Sequence, residues 1–155
     1  MRRTRPEKRE LAPDLRYNSV TVSYIINRIM KNGKKSKATT MFYDAMDMIA
    51  ERTGKEPMEV LEQALKNVGP LMEVRPRRVG GATYQIPMEV ASQRRLTLAI
   101  SWTLDAARGR SGKSFSQKLA DEVLDAASNQ GAAVRKKEEA HKMAEANRAF
   151  SHYRV

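Results

Sequence analysis

The sequence predicts a mainly α protein of about six helices in one domain, with a two-stranded β-hairpin protruding between the third and fourth. Three observations carry that reading. Apolar residues recur at i, i+3, i+4 and i+7 in five separate stretches, the stripe that one buried helix face requires. Serine, proline and glycine bound those stretches at positions that start or stop helices. Between the third and fourth stretches, Tyr84, Ile86, Met88 and Val90 alternate with Thr83, Gln85, Pro87 and Glu89, which is the period of a strand.

In chain order, residues 1–18 lack periodicity and mix arginine with Pro6 and Pro13, which reads as an extended basic tail ahead of a helical domain over 19–155. Ser19 caps a first helix whose inward face is Val22, Ile25, Ile26, Ile29 and Met30, and Asn32-Gly33 stops it. After a Lys34-Lys35 loop, Ser36 is expected to cap a second helix with Ala38, Met41, Phe42, Ala45 and Ile49 inward, ended by Thr53-Gly54. Pro57 occupies the first position of a third, with Val60, Leu61, Ala64, Leu65 and Val68 inward, and Gly69-Pro70 breaks it. The hairpin follows at about 71–90. Gly80-Gly81 supplies the positive φ of a tight reversal, while Pro76 and Pro87 remove ladder donors, as only edge strands allow. A fourth helix spans about Gln93 to Arg108, carrying Leu96, Ala99, Ile100, Thr103 and Ala107 on one stripe. Ser114 with Gln117 forms a capping box for a fifth, built on Leu119, Val123, Leu124 and Ala127. Gly131 separates it from a sixth, alanine-rich helix reaching toward Phe150, whose weak apolar stripe places it partly outside the core.

A chain of 155 residues is long enough to bury about 68–70% of its unfolded surface. Its 29 Lys+Arg against 18 Asp+Glu give a formal net charge of +11, which points to a polyanionic partner. The charge is uneven. Residues 1–37 hold eleven Lys/Arg against three Asp/Glu, whereas residues 38–72 hold three against six. One face is therefore expected toward a polyanion and another toward water or protein. No apolar stretch follows the basic start, so no signal peptide is expected, and no run approaches the ~18 apolar residues of a membrane span. The lack of cysteine removes disulfides and thiol chemistry and fits a reducing compartment, the cytoplasm or an organelle interior.

Catalytic motifs fail on inspection. Ala107 to Ser114 ends like a phosphate-cradling loop, but that motif requires glycine where Ala107 stands and a strand before it. A basic helix–helix connection touching backbone phosphates through Arg108, Arg110, Lys113 and Lys118 is the better reading. His141 and His152 stand apart in a polar region and read as solvated; Trp102 lies in an apolar helix and reads as core, as do Met41, Met46 and Met48. No enzyme, cofactor, metal or small-molecule substrate is expected.

The basic elements hold up better. Five are loaded: the tail, the Lys34-Lys35-Lys37 loop, the hairpin with Arg75, Arg77 and Arg78, the Arg94-Arg95 pair opening the fourth helix, and the connection after Arg108. Arg94-Arg95 is the best single pair, because a helix N-terminus adds free N–H groups and a positive dipole end. Loaded loops and a marginal ribbon suit structured RNA better than a duplex groove. A nucleoid-type DNA architectural protein is the alternative that composition leaves open.

The order and spacing of several long motifs narrow this further. Ser19-x-Thr21-x3-Ile25-Ile26-x6-Gly33-Lys34-Lys35-x5-Met41-Phe42-x2-Ala45, Arg77-Arg78-Val79-Gly80-Gly81-x-Thr83-Tyr84-Gln85, Arg94-Arg95, and the run from Met143 to Arg154 together resemble small-subunit ribosomal protein seven in its bacterial form, over the whole chain. The resemblance implies a primary binder of small-subunit (16S-type) rRNA that nucleates assembly of the subunit head. It places such a protein at the subunit interface near the decoding centre, beside exit-site tRNA and outgoing mRNA, with ribosomal proteins nine and eleven as neighbours. By position, rRNA contacts would include Arg2, Arg3, Arg5, Lys8, Arg9, Lys34, Lys35, Lys37, Arg75, Arg94 and Arg95, joined by the connection's basic residues. The tip residues Arg77, Arg78, Val79, Gly80, Gly81, Ala82 and Thr83, with Lys142 and Arg148 of the final helix, would face exit-site tRNA and mRNA. Many relatives carry Arg-Pro where this chain has Ala91-Ser92, so one expected phosphate contact is absent. With the chain ending at Val155, no function of a longer tail is expected.

Overall fold

A computed structural model describes residues 3–112 and 114–154; the expected contacts Arg2 and Lys113 lie outside them. Six α-helices, one 3-10 helix and one two-stranded antiparallel sheet are present among the described residues. The chain forms two compact units, Met1–Thr40 and Met41–Val155.

In the first unit, α1 runs Val20–Ile29, and Ser19 accepts from the Val22 N–H as the sequence predicts. Val22, Ile25, Ile26 and Ile29 are buried. The segment before α1 is extended only as far as residue 13. Asp14 then turns the chain, its carboxylate accepting from the Arg16 and Tyr17 backbone N–H groups. The Ser23 hydroxyl donates to the Ala12 carbonyl at 2.7 Å and ties that turn to α1. The second helix, α2 (Lys35–Thr53), starts two residues earlier than a Ser36 cap would place it. Ser36 is inside the helix and its carbonyl accepts from the Thr40 hydroxyl. Asn32 and Gly33, both at positive φ, make the reversal that separates the two helices.

The second unit is built on α3 (Pro57–Val68), α4 (Ser92–Gly109), α5 (Phe115–Ala127) and α6 (Ala132–Ala146). Pro57 starts α3, and the buried face of that helix is the predicted Val60, Leu61, Ala64, Leu65 and Val68. Asn67 Nδ2 donates to the Ala126 and Ala127 carbonyls, so a side chain of α3 closes the end of α5. Ser114 caps α5 through the Gln117 N–H. In α4 the predicted Ala99, Ile100, Thr103 and Ala107 are buried, joined by Leu104, whereas Leu96, nearer the start of the helix, is exposed. Trp102 is half-buried rather than core, with the Lys136 ammonium of α6 over its ring at 5.7 Å. Met46 is fully buried, and Met41 and Met48 are half-buried.

The hairpin is β1 (Met72–Val79) and β2 (Ala82–Glu89), paired from Met72↔Glu89 to Val79↔Ala82. Gly80 (φ 57°) and Gly81 (φ 85°) form the two-residue turn, in the left-handed conformation that twists with the strands. Opposed residues share a face, so Glu73, Arg75 and Arg77 stand beside Met88, Ile86 and Tyr84. The base is packed, with Glu73, Ile86 and Pro87 buried, and the tip is exposed. The last expected helix divides. After α6 the chain tightens into a 3-10 helix, Arg148–Tyr153, which lies against the ribbon. Tyr84 stacks on Tyr153 (centroids 5.5 Å apart) and meets Phe150 at 5.1 Å, while Arg154 Nε donates to the Pro87 carbonyl. A ribbon that would be marginal alone is thereby braced by the chain's own C-terminal segment.

Candidate nucleic-acid interface

In the first unit, Arg3, Arg5, Lys8 and Arg9 are exposed along extended chain. Lys34, Lys35 and Lys37 are exposed too, but they do not form a loop: Lys34 accepts the first helical bond, from the Ala38 N–H, and Lys35 and Lys37 lie in the first turn of α2. That turn holds no acidic residue. Three ammonium groups thus sit at the positive end of a helix dipole, an arrangement that each cation opposes by roughly 0.3–1 kcal/mol.

In the second unit, the hairpin base and the start of α4 bring three predicted residues together. Ala91 precedes α4 with no side-chain cap, and the first turn again lacks acid. Arg94 makes a bidentate pair with Glu73 (Nε–Oε1 2.9 Å, Nη2–Oε2 2.9 Å), and Arg75 reaches the same carboxylate (Nε–Oε1 2.7 Å). Burial would push the Glu73 carboxyl up, but hydrogen bonds and charge from Arg94 and Arg75 hold it below the ordinary carboxylate range. The same pairing raises the Arg94 pKa. Arg95 lies across the joint between α3 and the ribbon, its Nε 3.2 Å from the Gly69 carbonyl. A Cβ at Gly69 would stand 2.9 Å from Arg95 Cγ, so glycine is what lets the arginine lie there.

The helix connection behaves differently. Arg110 donates to Glu122 Oε2 at 2.6 Å and to Asp125 Oδ2 at 2.8 Å. Glu122 is fully buried, and its Oε1 accepts the Ala133 N–H at 3.0 Å in the first turn of α6. Arg110 therefore carries a structural load that its neighbours in sequence do not share. It is the cation of a buried pair that caps α6, at the edge of a cleft of about 700 Å³ lined also by Asp105, Asp121 and Arg135. Two carboxylates raise its pKa against the burial that lowers it. Arg108 is exposed near Asp105, and Lys118 is half-buried.

On the arm, Arg78 to Gly80 form the approach to the tip, and Arg77 Nη1 donates to the Tyr153 carbonyl at 2.9 Å. Arg77, Arg78, Gly80, Gly81, Ala82 and Thr83 are exposed and Val79 is half-buried; Lys142 and Arg148 are exposed on the final segment. His141 is not solvated as expected. It is half-buried, and its Nε2 accepts the Leu71 backbone N–H at 3.0 Å, so α6 holds the foot of the ribbon. Burial, then the charges of Lys137 and Arg95, hold its pKa below the ordinary histidine value. Neither Glu73 nor Glu122 stands out in the sequence. The only available signal was an acidic residue out of phase with its solvent-facing neighbours: Glu73 in an arginine-rich strand, and Glu122 next to Val123 on the apolar side of α5.

Fold and surface define a class: a basic helical protein with a braced ribbon arm and cations crowded at two helix starts, suited to meeting a polyanion. A family model described as ribosomal protein S7p/S5e matches residues 1–148, and the chain belongs to that family. It is 60% identical over 148 residues to the small ribosomal subunit protein uS7 of Thermoanaerobacter sp. (strain X514), a match that covers 96% of this chain and 95% of the relative. It is also 60% identical over 147 residues to the protein of that name from Caldanaerobacter subterraneus subsp. tengcongensis, covering 95% of this chain and 94% of that relative. Membership in a family of ribosomal proteins agrees with the absence of any catalytic motif. No helix among the described residues is long and apolar enough to cross a membrane.

Proposed function

We propose that this protein is a primary binder of small-subunit (16S-type) rRNA, which nucleates assembly of the subunit head at the subunit interface near the decoding centre. The observation that carries the reading is the placement of exposed cations at the starts of α2 and α4, where they oppose the helix dipoles and are relieved by phosphate. Within the first unit, Arg3, Arg5, Lys8, Arg9, Lys34, Lys35 and Lys37 contact rRNA. Within the second, Arg75, Arg94, Arg95, Arg108 and Lys118 do. The exposed arm from Arg77 to Thr83, together with Lys142 and Arg148, faces exit-site tRNA and outgoing mRNA, and ribosomal proteins nine and eleven are the neighbours. The site of action is the ribosome, in the cytoplasm.

The test is a salt titration of binding to a head-domain rRNA fragment, with duplex DNA as competitor. Each lost phosphate contact flattens the log–log salt slope by roughly 0.7–0.9. Replacing Lys34, Lys35 and Lys37 together by alanine is expected to lower the slope by about 2–3 and to leave the melting temperature unchanged or slightly raised. An unchanged affinity and slope would remove α2 from the interface, and equal competition by DNA would overturn the RNA reading.

A further inference from the structure

We propose that Glu73 is a positioning residue for RNA: it holds Arg75 and Arg94 as a paired guanidinium site for one backbone phosphate at the joint between the hairpin and α4. The proposal rests on the rRNA reading above and names a device inside it.

The sequence sets up the geometry. Glu73 and Arg75 are two apart on β1 and so share a face, and Arg94 stands in the first turn of α4. Glu73 Oε1 accepts from Arg75 Nη2 at 2.6 Å as well as from its Nε, while both carboxylate oxygens accept from Arg94. Each guanidinium therefore spends its Nε/Nη2 edge on the carboxylate and keeps the Nη1 end, with its remaining N–H donors, for another acceptor. The carboxylate is nearly enclosed, its side chain 12% exposed, whereas the Arg75 and Arg94 side chains are 50% and 47% exposed. A fixed anion is thus buried behind two half-open cations.

The stoichiometry argues for a missing partner. One carboxylate neutralises one arginine; a second arginine, on Oε1, leaves a net positive charge and adds repulsion and the cost of ordering a long side chain. The other buried cluster of this unit runs the opposite way. There one guanidinium, Arg110, meets two carboxylates, and Glu122 goes on to cap α6 from within the chain. At α4 the excess charge is positive, and Ala91 gives no side-chain cap. The spare cation and the uncapped helix start call for the same ligand, an anion with several acceptor oxygens. A backbone phosphate matches both.

The experiment is a salt titration of the full chain against the head-domain rRNA fragment, using Glu73→Gln, Arg75→Ala, Arg94→Ala and the combinations, all well below their melting temperatures. Glu73→Gln is expected to weaken binding roughly tenfold, about one charge-assisted phosphate contact, and to cost nothing further once both arginines are removed. If Glu73 only neutralises the arginines, Glu73→Gln tightens binding and steepens the salt slope, which overturns the proposal. If its role is only structural, the loss persists undiminished when both arginines are absent, which also overturns it. Should Glu73→Gln not fold, Arg94→Lys decides: lysine can pair with Glu73 but cannot offer a second edge, so affinity matching Arg94→Ala is expected and wild-type affinity refutes the paired site. Failure of the underlying reading looks different, because then neither arginine variant changes the affinity.

Discussion

Replacing Glu122 by alanine separates the structural basic residues from those proposed to face RNA. The carboxylate is completely buried; one oxygen meets Arg110 at 2.6 Å and the other holds the Ala133 N–H at the start of α6. Removing it leaves a buried donor without its acceptor, about 1–3 kcal/mol. It also breaks a buried ion pair, a change that costs roughly 3–5 kcal/mol when the remaining charge is uncompensated. That second figure must be discounted, because Arg110 keeps Asp125 and its side chain is 30% exposed. A net loss of about 2–4 kcal/mol follows, or roughly 4–16 °C in melting temperature for a chain of this size. Glu122→Gln, which keeps an acceptor for Ala133, should lose less.

The assay is urea unfolding followed by far-UV circular dichroism, with rRNA affinity measured at a temperature where all variants are folded. Stability should fall in the order wild type, Glu122→Gln, Glu122→Ala, while RNA affinity stays within about twofold and the salt slope is unchanged. A Glu122→Ala protein within about 0.5 kcal/mol of wild type would refute the reasoning, because the pair would then contribute nothing that water does not supply. A flattened salt slope would instead return Arg110 to the interface.

Two further outcomes are expected. Because the neutral His141 ring accepts the Leu71 N–H and its folded pKa is depressed, the folded state takes up fewer protons than the unfolded state as pH falls. Stability should therefore be level above about pH 6.5, the unfolded value, and decline below it; a His141→Gln variant showing the same decline between pH 7 and 5 would remove the histidine as its cause. Deleting the tip from Arg77 to Ala82 should remove little beyond the Arg77–Tyr153 hydrogen bond, about 0.5–1.5 kcal/mol, and leave subunit assembly intact while tRNA retention changes; loss of cooperative unfolding would show that the tip belongs to the core.

The legibility of this chain follows from the range of the forces involved. The α3 boundaries are written in neighbouring residues, Pro57 and Gly69-Pro70, and the five-residue apolar face between them is the observed buried face. The hairpin turn is equally local, since Gly80-Gly81 needs nothing beyond its own φ angles. Of the failures, one is settled by a competing local signal and the others by a distant partner. Ser36 is a good cap by composition, yet Gly33 at positive φ turns the chain early enough for Lys34 to take the capping position. His141 reads as solvated until Leu71, seventy residues earlier, supplies a donor. Arg110 looks like its neighbours Arg108 and Lys113 in the sequence, and only Glu122 and Asp125 on the next helix set it apart. Trp102 lies in an apolar helix, but one edge of that helix faces the charged side of α6.

Excess basic charge alone does not explain where the cations of this protein fall. Arg28, Arg52, Lys66 and Arg108 occupy the last turns of α1, α2, α3 and α4, where a cation and the helix dipole attract. A chain selected for stability alone would fill the first turns with acid in the same way. Instead the first turns of α2 and α4 hold Lys35, Lys37, Arg94 and Arg95 and no acid at all. Each reversed cation costs up to about 1 kcal/mol of folding stability, a large share of the 5–15 kcal/mol that holds a domain together. The same groups become favourable once a phosphate sits at the helix start, because the dipole, the free N–H groups and the cation then all attract it. The proposed phosphate contact therefore predicts that substitutions of Lys35 and Lys37 at the α2 start lower affinity while sparing or raising the melting temperature. At the α4 start, Arg94 and Arg95 also hold the buried Glu73 carboxylate and the Gly69 carbonyl, so their removal should cost both affinity and stability.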